Sequence, residues 1–170
     1  AASDVYKRQL SRPYSERIRD VIAHIASCHS EFTHPFFEQR KTISRVGFIV
    51  VSTDRGLCGG LNMNLFRHVL KEMKAFDEQG IGVDACLIGR KAESFFARCE
   101  ADIVGAASQL GDTPSVTDLV GVIKVMIDRF TAQEVDCVYI ASNDFVNTMT
   151  QRPVVRQLLP LKPESQDEPR

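Results

Sequence analysis

No charge of one sign dominates this 170-residue sequence: 21 Lys and Arg stand against 22 Asp and Glu, a formal net charge of −1. Binding nucleic acid needs an uncompensated basic face, so this balance argues against nucleic acid as the main partner. Missing too is any run of about 18 apolar residues, the length a membrane helix needs. The densest apolar stretch, Val46 to Val51, is far too short to span a bilayer, and no charged start leads into an apolar signal region. Direct membrane insertion is therefore not expected. Paired cysteine spacings are absent as well. The five cysteines (Cys28, Cys58, Cys86, Cys99 and Cys137) are odd in number and scattered, which points to reduced, mostly buried thiols of a cytosolic domain instead of a disulfide framework. Cys28, His29 and His34 have no second Cys/His pair at zinc spacing, so no metal is expected. What is present is apolar material, 44% of the residues, enough to bury the core of one domain.

The opening residues Ala1 to Gln9 coincide with the in-frame translation of a common transposase-type sequencing adapter, and no initiator methionine precedes them. Residues 1–9 are therefore expected to carry no function; genomic codons upstream of Leu10 would contradict this.

From Leu10 onward the pattern is helical. Tyr14, Ile18, Val21, Ile22, Ile25 and Cys28 recur at one-face spacing, giving an amphipathic helix over about 10–30. Residues 31–45, with Pro35 and several charges, read as a connector. The period then changes. Val46 to Ser52 is a continuous β-branched run, as expected for a strand buried on both faces, and a glycine-rich turn, Thr53 to Asn62, follows directly. Phe66, Val69, Leu70, Met73 and Phe76 form the stripe of the next helix, which Gly80 is placed to stop. A second cycle has a strand near Val83 to Ile88 and a short helix near Arg90 to Cys99; Asp102 to Ala106 reads as a third strand. A helix with Val116, Leu119, Val120, Ile123, Met126, Ile127 and Phe130 then leads to a strand over Val135 to Ala141. Strand and helix alternate three times, so an α/β fold with a largely parallel sheet is expected, filling residues 46–161. Phe145 to Leu159, interrupted by Pro153, reads as an extended arm or bulged edge strand, and residues 162–170 as an exposed tail.

Glycines at a strand-to-helix junction often offer backbone N–H groups to a phosphate. Here Gly56, Gly59 and Gly60 fit neither G-x-G-x-x-G nor G-x-x-x-x-G-K-[ST], and no lysine follows to neutralise a phosphate. A tight structural turn is the favoured reading. A small nucleotide-binding α/β enzyme using the turn at 56–60 is the rival. Cys58, just before a helix, has the place of an activated thiol, but nothing puts His24, His29, His34 or His68 beside it. No enzyme site emerges from the residues.

Thr53-Asp-Arg-Gly-Leu-Cys-Gly-Gly-Leu-Asn62 resembles the central signature of the F-type ATP synthase gamma subunit, which usually has Ser at the place of Thr53. Ser11-Arg-Pro-Tyr14, Phe145-Val-Asn-Thr-Met-Thr-Gln151, Pro153 and Gln157-Leu-Leu-Pro160 match in the same order. The Gly59-Gly60-Leu61-Asn62 form looks bacterial. The resemblance implies a Rossmann-like three-layer domain preceded by part of a long coiled-coil helix, and a family chain that continues beyond both ends of this one. It implies a non-catalytic rotor, without cofactor, that couples rotation of the membrane ring to ATP synthesis or hydrolysis at the cytoplasmic face of the bacterial inner membrane. The implied partners are the alpha, beta and epsilon subunits and the c-ring. Asp54, Arg55, Gly56, Leu57, Cys58, Gly59, Gly60 and Asn62 carry over as a structural or interfacial loop, with Asp54 and Asn62 capping it. Phe145, Asn147, Thr148, Gln151 and Pro153 carry over as the motif of the C-terminal arm.

Overall fold

A strand that is apolar at successive positions must be covered on both faces, so it belongs in the middle of a sheet. In the computed structural model, which describes residues 20, 22, 41–52, 59–99, 101–107, 116–147 and 150–160, this holds for β1 (Arg45–Val51). It pairs in parallel with β2 (Gly82–Ile88) on one side and with β4 (Cys137–Asn147) on the other. Strand β3 (Asp102–Ala107) lies parallel outside β2, and β5 (Thr150–Leu159) antiparallel outside β4, for a sheet order β3-β2-β1-β4-β5. The helices α1 (Gly59–Glu78), α2 (Arg90–Phe96) and α3 (Val116–Thr131) connect the parallel strands.

Successive side chains of β1 alternate between two cores. Val46, Phe48 and Val50 join Leu65, Phe66, Val69 and Met73 of α1 and Phe96 of α2. Ile49 and Val51 join Val122, Ile123, Met126, Ile127 and Phe130 of α3. The first core is aromatic: Phe48 stacks on Tyr139 at 5.4 Å between centroids and meets Phe76 edge-on at 6.0 Å. Ile22 is buried in the second core while Asp20 is exposed; both are helical. The remainder of the expected 10–30 helix lies outside the described residues, as do residues 1–9 and 161–170.

Three boundaries and one packed face differ from the sequence expectation. Helix α2 ends at Phe96 and not near Cys99. Val120 is exposed on α3, because the packed face centres on Ile123, Met126, Ile127 and Phe130. Val135 is buried but precedes the strand, which begins at Cys137 and runs on to Asn147. Phe145 to Leu159 is therefore not one arm: its start is the end of β4 and its remainder pairs back as β5, with Phe145 opposite Gln151 and Pro153 opposite Asn143. Proline is tolerated there because β5 is the outermost strand of the described sheet.

Burial sets the proton affinities of two core groups. The Cys86 thiol is pushed up to about 12, first by burial and then by the charge of Asp84. The Tyr139 phenol is pushed up to about 12 by burial, reinforced by Cys137. Both hold their proton more tightly in the folded chain, so their stabilising effect is complete below the ordinary values of 9.0 and 10.0 and is lost as pH climbs toward about 12. Melting temperature is expected to fall between pH 9 and pH 12, with Cys86 inert to thiol reagents until the chain unfolds. Rapid labelling of Cys86 in the folded chain at pH 8 would contradict this.

Candidate functional site

Open α/β sheets bind ligands beyond the carboxyl ends of their strands, where the strand order reverses. Here the reversal lies between β1 and β4, since β2 is on one side of β1 and β4 on the other. β1 ends at this crevice at Val51, and α1 begins at Gly59.

The walls of the crevice are tightly bonded. Ser52 anchors the end of β1: its N–H and its hydroxyl both donate to the Ile88 carbonyl, at 2.8 and 2.9 Å. The same hydroxyl accepts from the Ala92 N–H at 3.0 Å, tying β1 to the start of α2. Gly89 makes this close approach possible. It has φ 97°, donates to the Ala107 carbonyl at 2.8 Å, and a Cβ there would fall on the Ser52 carbonyl oxygen. On the β4 side, Asn143 Nδ2 donates to the Leu61 carbonyl in the first turn of α1 at 3.3 Å, and Asn143 Oδ1 is buried with no partner among the described residues.

The expected site residues are distributed as follows. Asp54, Arg55, Gly56, Leu57 and Cys58 lie outside the described residues, between Ser52 and α1. Gly59 and Gly60 are the first residues of α1, and a Cβ on Gly60 would meet nothing within 4 Å. Asn62 is buried and is the fourth residue of α1. Phe145 and Asn147 end β4, and Gln151 and Pro153 lie on β5; Thr148 is outside the described residues. Asn147 pairs with Thr150, so the motif lies on the adjoining ends of β4 and β5.

Sequence reasoning missed the charge cluster at the opposite ends of the strands. Asp84 of β2 is 1% exposed and binds two arginines, Arg45 Nη1 at 2.5 Å and Arg129 Nη2 at 2.6 Å. Arg129 Nε also donates to Asp84, at 2.9 Å. The arginines reach outward in turn, Arg45 to Asp102 at 3.2 Å and Arg129 to Glu134 at 3.2 Å. Burial works against the charge of Arg45, but the Asp84 and Asp102 carboxylates outweigh it and raise its pKa above the ordinary value. Asp136 Oδ2 accepts from the Ser44 N–H at 2.7 Å, closing the same edge. The only signal in the sequence was an acid inside the apolar run Val83 to Ile88. Through Arg45, Asp84, Asp102 and Arg129 the cluster links β1, β2, β3 and α3. Among the described residues, no three His, Cys, Asp or Glu side chains are grouped to hold a metal.

The family profile described as ATP synthase matches residues 6–170, beginning inside the 1–9 segment. Over 171 residues the chain is 52% identical to the ATP synthase gamma chain of Coxiella burnetii. The chain belongs to the ATP synthase gamma-chain family. The Coxiella alignment covers 98% of this chain and 59% of that relative. A second relative, the ATP synthase gamma chain of Nitrosococcus oceani, is 52% identical over 95% of this chain and 57% of its own length. The chain thus spans less than two thirds of the curated gamma chains it matches. Among solved structures, the Tetrahymena thermophila mitochondrial ATP synthase central stalk/c-ring contains a chain similar in fold, with TM-score 0.57 and 14% identity over 94% of this chain and 66% of that one. A chain of the Euglena gracilis mitochondrial ATP synthase has TM-score 0.54 and 16% identity over 92% of this chain and 54% of its own. At these identities the two structures show a shared fold.

Proposed function

We propose that this chain is the globular part of a non-catalytic rotor subunit in the central stalk of a bacterial F-type ATP synthase. The observation that carries the reading is the 52% identity to bacterial gamma chains across nearly the whole chain. On this reading residues 46–161 are a Rossmann-like three-layer domain, and residues 10–30 belong to a long coiled-coil helix. The partners are the alpha, beta and epsilon subunits and the membrane c-ring, and the site of action is the cytoplasmic face of the inner membrane. Among the described residues no helix is long and apolar enough to cross a membrane.

The function needs stiffness and shape. A rotating asymmetric shaft stabilises different conformations of the catalytic subunits in turn, and it does so by contact alone, without acid, base or metal. A sheet covered on both faces, with charged groups tying its strand ends, is suited to bear load. The signature loop from Asp54 to Asn62 serves as a structural or interfacial turn, and the Phe145 to Pro153 motif as the hairpin that closes the sheet edge.

The nucleotide-enzyme reading gains nothing from Asn143 Oδ1, which is buried beside the start of α1 without a hydrogen-bond partner among the described residues. That atom is an acceptor and would repel a phosphate oxygen. Calorimetry with ATP and NAD is expected to show no binding. Micromolar binding abolished by Gly59→Val would favour the rival. A chain completed to the length of its relatives is expected to co-purify with alpha, beta and epsilon subunits; failure to assemble would sink the rotor reading.

A further inference from the structure

We propose that Asp136 is a positioning residue: it fixes the backbone where the chain enters the central strand β1, and so sets how stiffly the preceding stretch is joined to the sheet. The mechanical consequence rests on the rotor reading. The placement of the joint does not.

β1 is the middle strand of the sheet, and the chain reaches it through residues 41–44. Any force carried along the chain between earlier residues and the sheet must therefore pass Ser44 and Arg45. Both are held from two sides. On the β4 side one carboxylate oxygen, Asp136 Oδ2, accepts from the Ser44 N–H at 2.7 Å and from the Arg45 N–H at 3.3 Å. The Asp136 N–H donates in return to the Arg45 carbonyl, at 2.7 Å. On the β2 side the Gly82 N–H donates to the Ser44 carbonyl at 3.1 Å. A carboxylate can take several donors at once, and its charge strengthens each bond, so Asp136 suits this place.

The Arg45 side chain carries the hold further across the sheet. It lies over Gly82, where a Cβ would meet Cζ at 2.8 Å, and reaches Asp84 of β2 and Asp102 of β3. Force arriving at the entry is thus shared by β4, β1, β2 and β3. Ile22 adds an apolar contact with the second core, but such contact has no preferred direction and cannot set an angle.

Exposure separates this role from stability. Ser44 is exposed and Asp136 half-buried, so water can replace the lost acceptor and little folding free energy depends on it. Water cannot hold the backbone in one direction. At Asp84, which is 1% exposed, stiffness and stability would fall together.

The first test follows amide hydrogen exchange in the isotopically labelled 170-residue chain. Asp136→Ala should speed exchange at Ser44 and Arg45 by about tenfold or more. Asp136→Asn should match the parent, because its side-chain oxygen can accept the same two bonds. Thermal unfolding of Asp136→Ala should come only about 2–6 °C earlier. The second test places the variants in a chain completed to the length of its relatives and assembled with alpha and beta subunits. A bead is coupled to the exposed surface of α3, and its angular fluctuation is recorded while the enzyme is stalled. The variance of the angle varies inversely with the stiffness of the joint. Asp136→Ala removes two of the four bonds named at the entry, so the variance should rise about twofold. Asp136→Asn should keep the parent value. So should Leu65→Ala, a core truncation on α1 expected to lower the melting temperature further.

Parent-like exchange or parent-like variance in Asp136→Ala would overturn the proposal. An Asp136→Asn chain as loose as Asp136→Ala would overturn it too, since charge and not the two bonds would then matter. Equal broadening in Leu65→Ala would reduce the effect to lost stability and overturn it likewise. A parent chain that does not assemble would overturn the rotor reading and the mechanical consequence with it, while the exchange rates still decide whether Asp136 fixes the entry.

Discussion

Gly89→Ala is expected to destabilise the chain by about 3–5 kcal/mol, combining backbone strain with a clash against fixed backbone. Gly89 has φ 97° and ψ 143°, a conformation almost closed to residues with a Cβ. The added carbon would fall on the Ser52 carbonyl oxygen and lie 2.6 Å from Ser52 Oγ. Neither can move aside easily, because the Ser52 N–H and hydroxyl are both bonded to Ile88 and the hydroxyl also accepts from Ala92. For a chain of this size, thermal unfolding should come about 6–20 °C earlier. Two other glycines serve as controls. At Gly47 the new carbon would meet Met126 Sδ at 2.7 Å, the far end of a flexible side chain, so about 1 kcal/mol is expected. Gly80 has φ 76° but open space, and should also cost about 1 kcal/mol. If Gly89→Ala melted no earlier than Gly80→Ala, the tight crossing of Ser52 and Gly89 would not be the constraint described.

Asp84→Ala is expected to cost about 3 kcal/mol, because it removes the one buried carboxylate that two arginines share. The value falls at the low end of the range for broken buried pairs. The side chains of Arg45 and Arg129 are 35% and 29% exposed, so each can turn part of its charge to water. Asp102→Ala removes a carboxylate that is 70% exposed and should cost at most about 0.5 kcal/mol, although it binds the same Arg45. Replacing Asp84, Arg45 and Arg129 together with apolar residues of similar size should recover most of the loss, since the only carboxylates that then lose a partner, Asp102 and Glu134, are exposed to water. Chemical denaturation of the three variants separates these effects. An Asp84→Ala chain as stable as Asp102→Ala would show that the cluster does not hold the strand ends together.

These two sites show where sequence reading stops. The three parallel β-turn-α cycles could be read because each rests on a local period. Val46 to Val51 is apolar at every position, and Phe66, Val69 and Met73 recur at helical spacing, which backbone geometry translates directly into strand and helix. Phe145 to Leu159 was harder. Its β-forming residues were evident, but the turn that folds it into two strands depends on pairing with β4, which no local period reports. The start of α1 at Gly59 falls inside the run Thr53 to Asn62 that reads as a turn, because glycines carry no apolar period that would mark a helix.

By itself the sequence determined the order of strands and helices, the apolar face of α1, and membership of the gamma-chain family, since all of these depend on residues close together or on a contiguous motif. Only the tertiary structure decided that β1 lies between β2 and β4, that Gly89 meets Ser52, and that Asp84 meets both Arg45 and Arg129. The arginines stand 39 and 45 residues from Asp84 along the chain. Such contacts follow from which elements come to lie side by side, and that is settled by packing two cores on the two faces of one sheet.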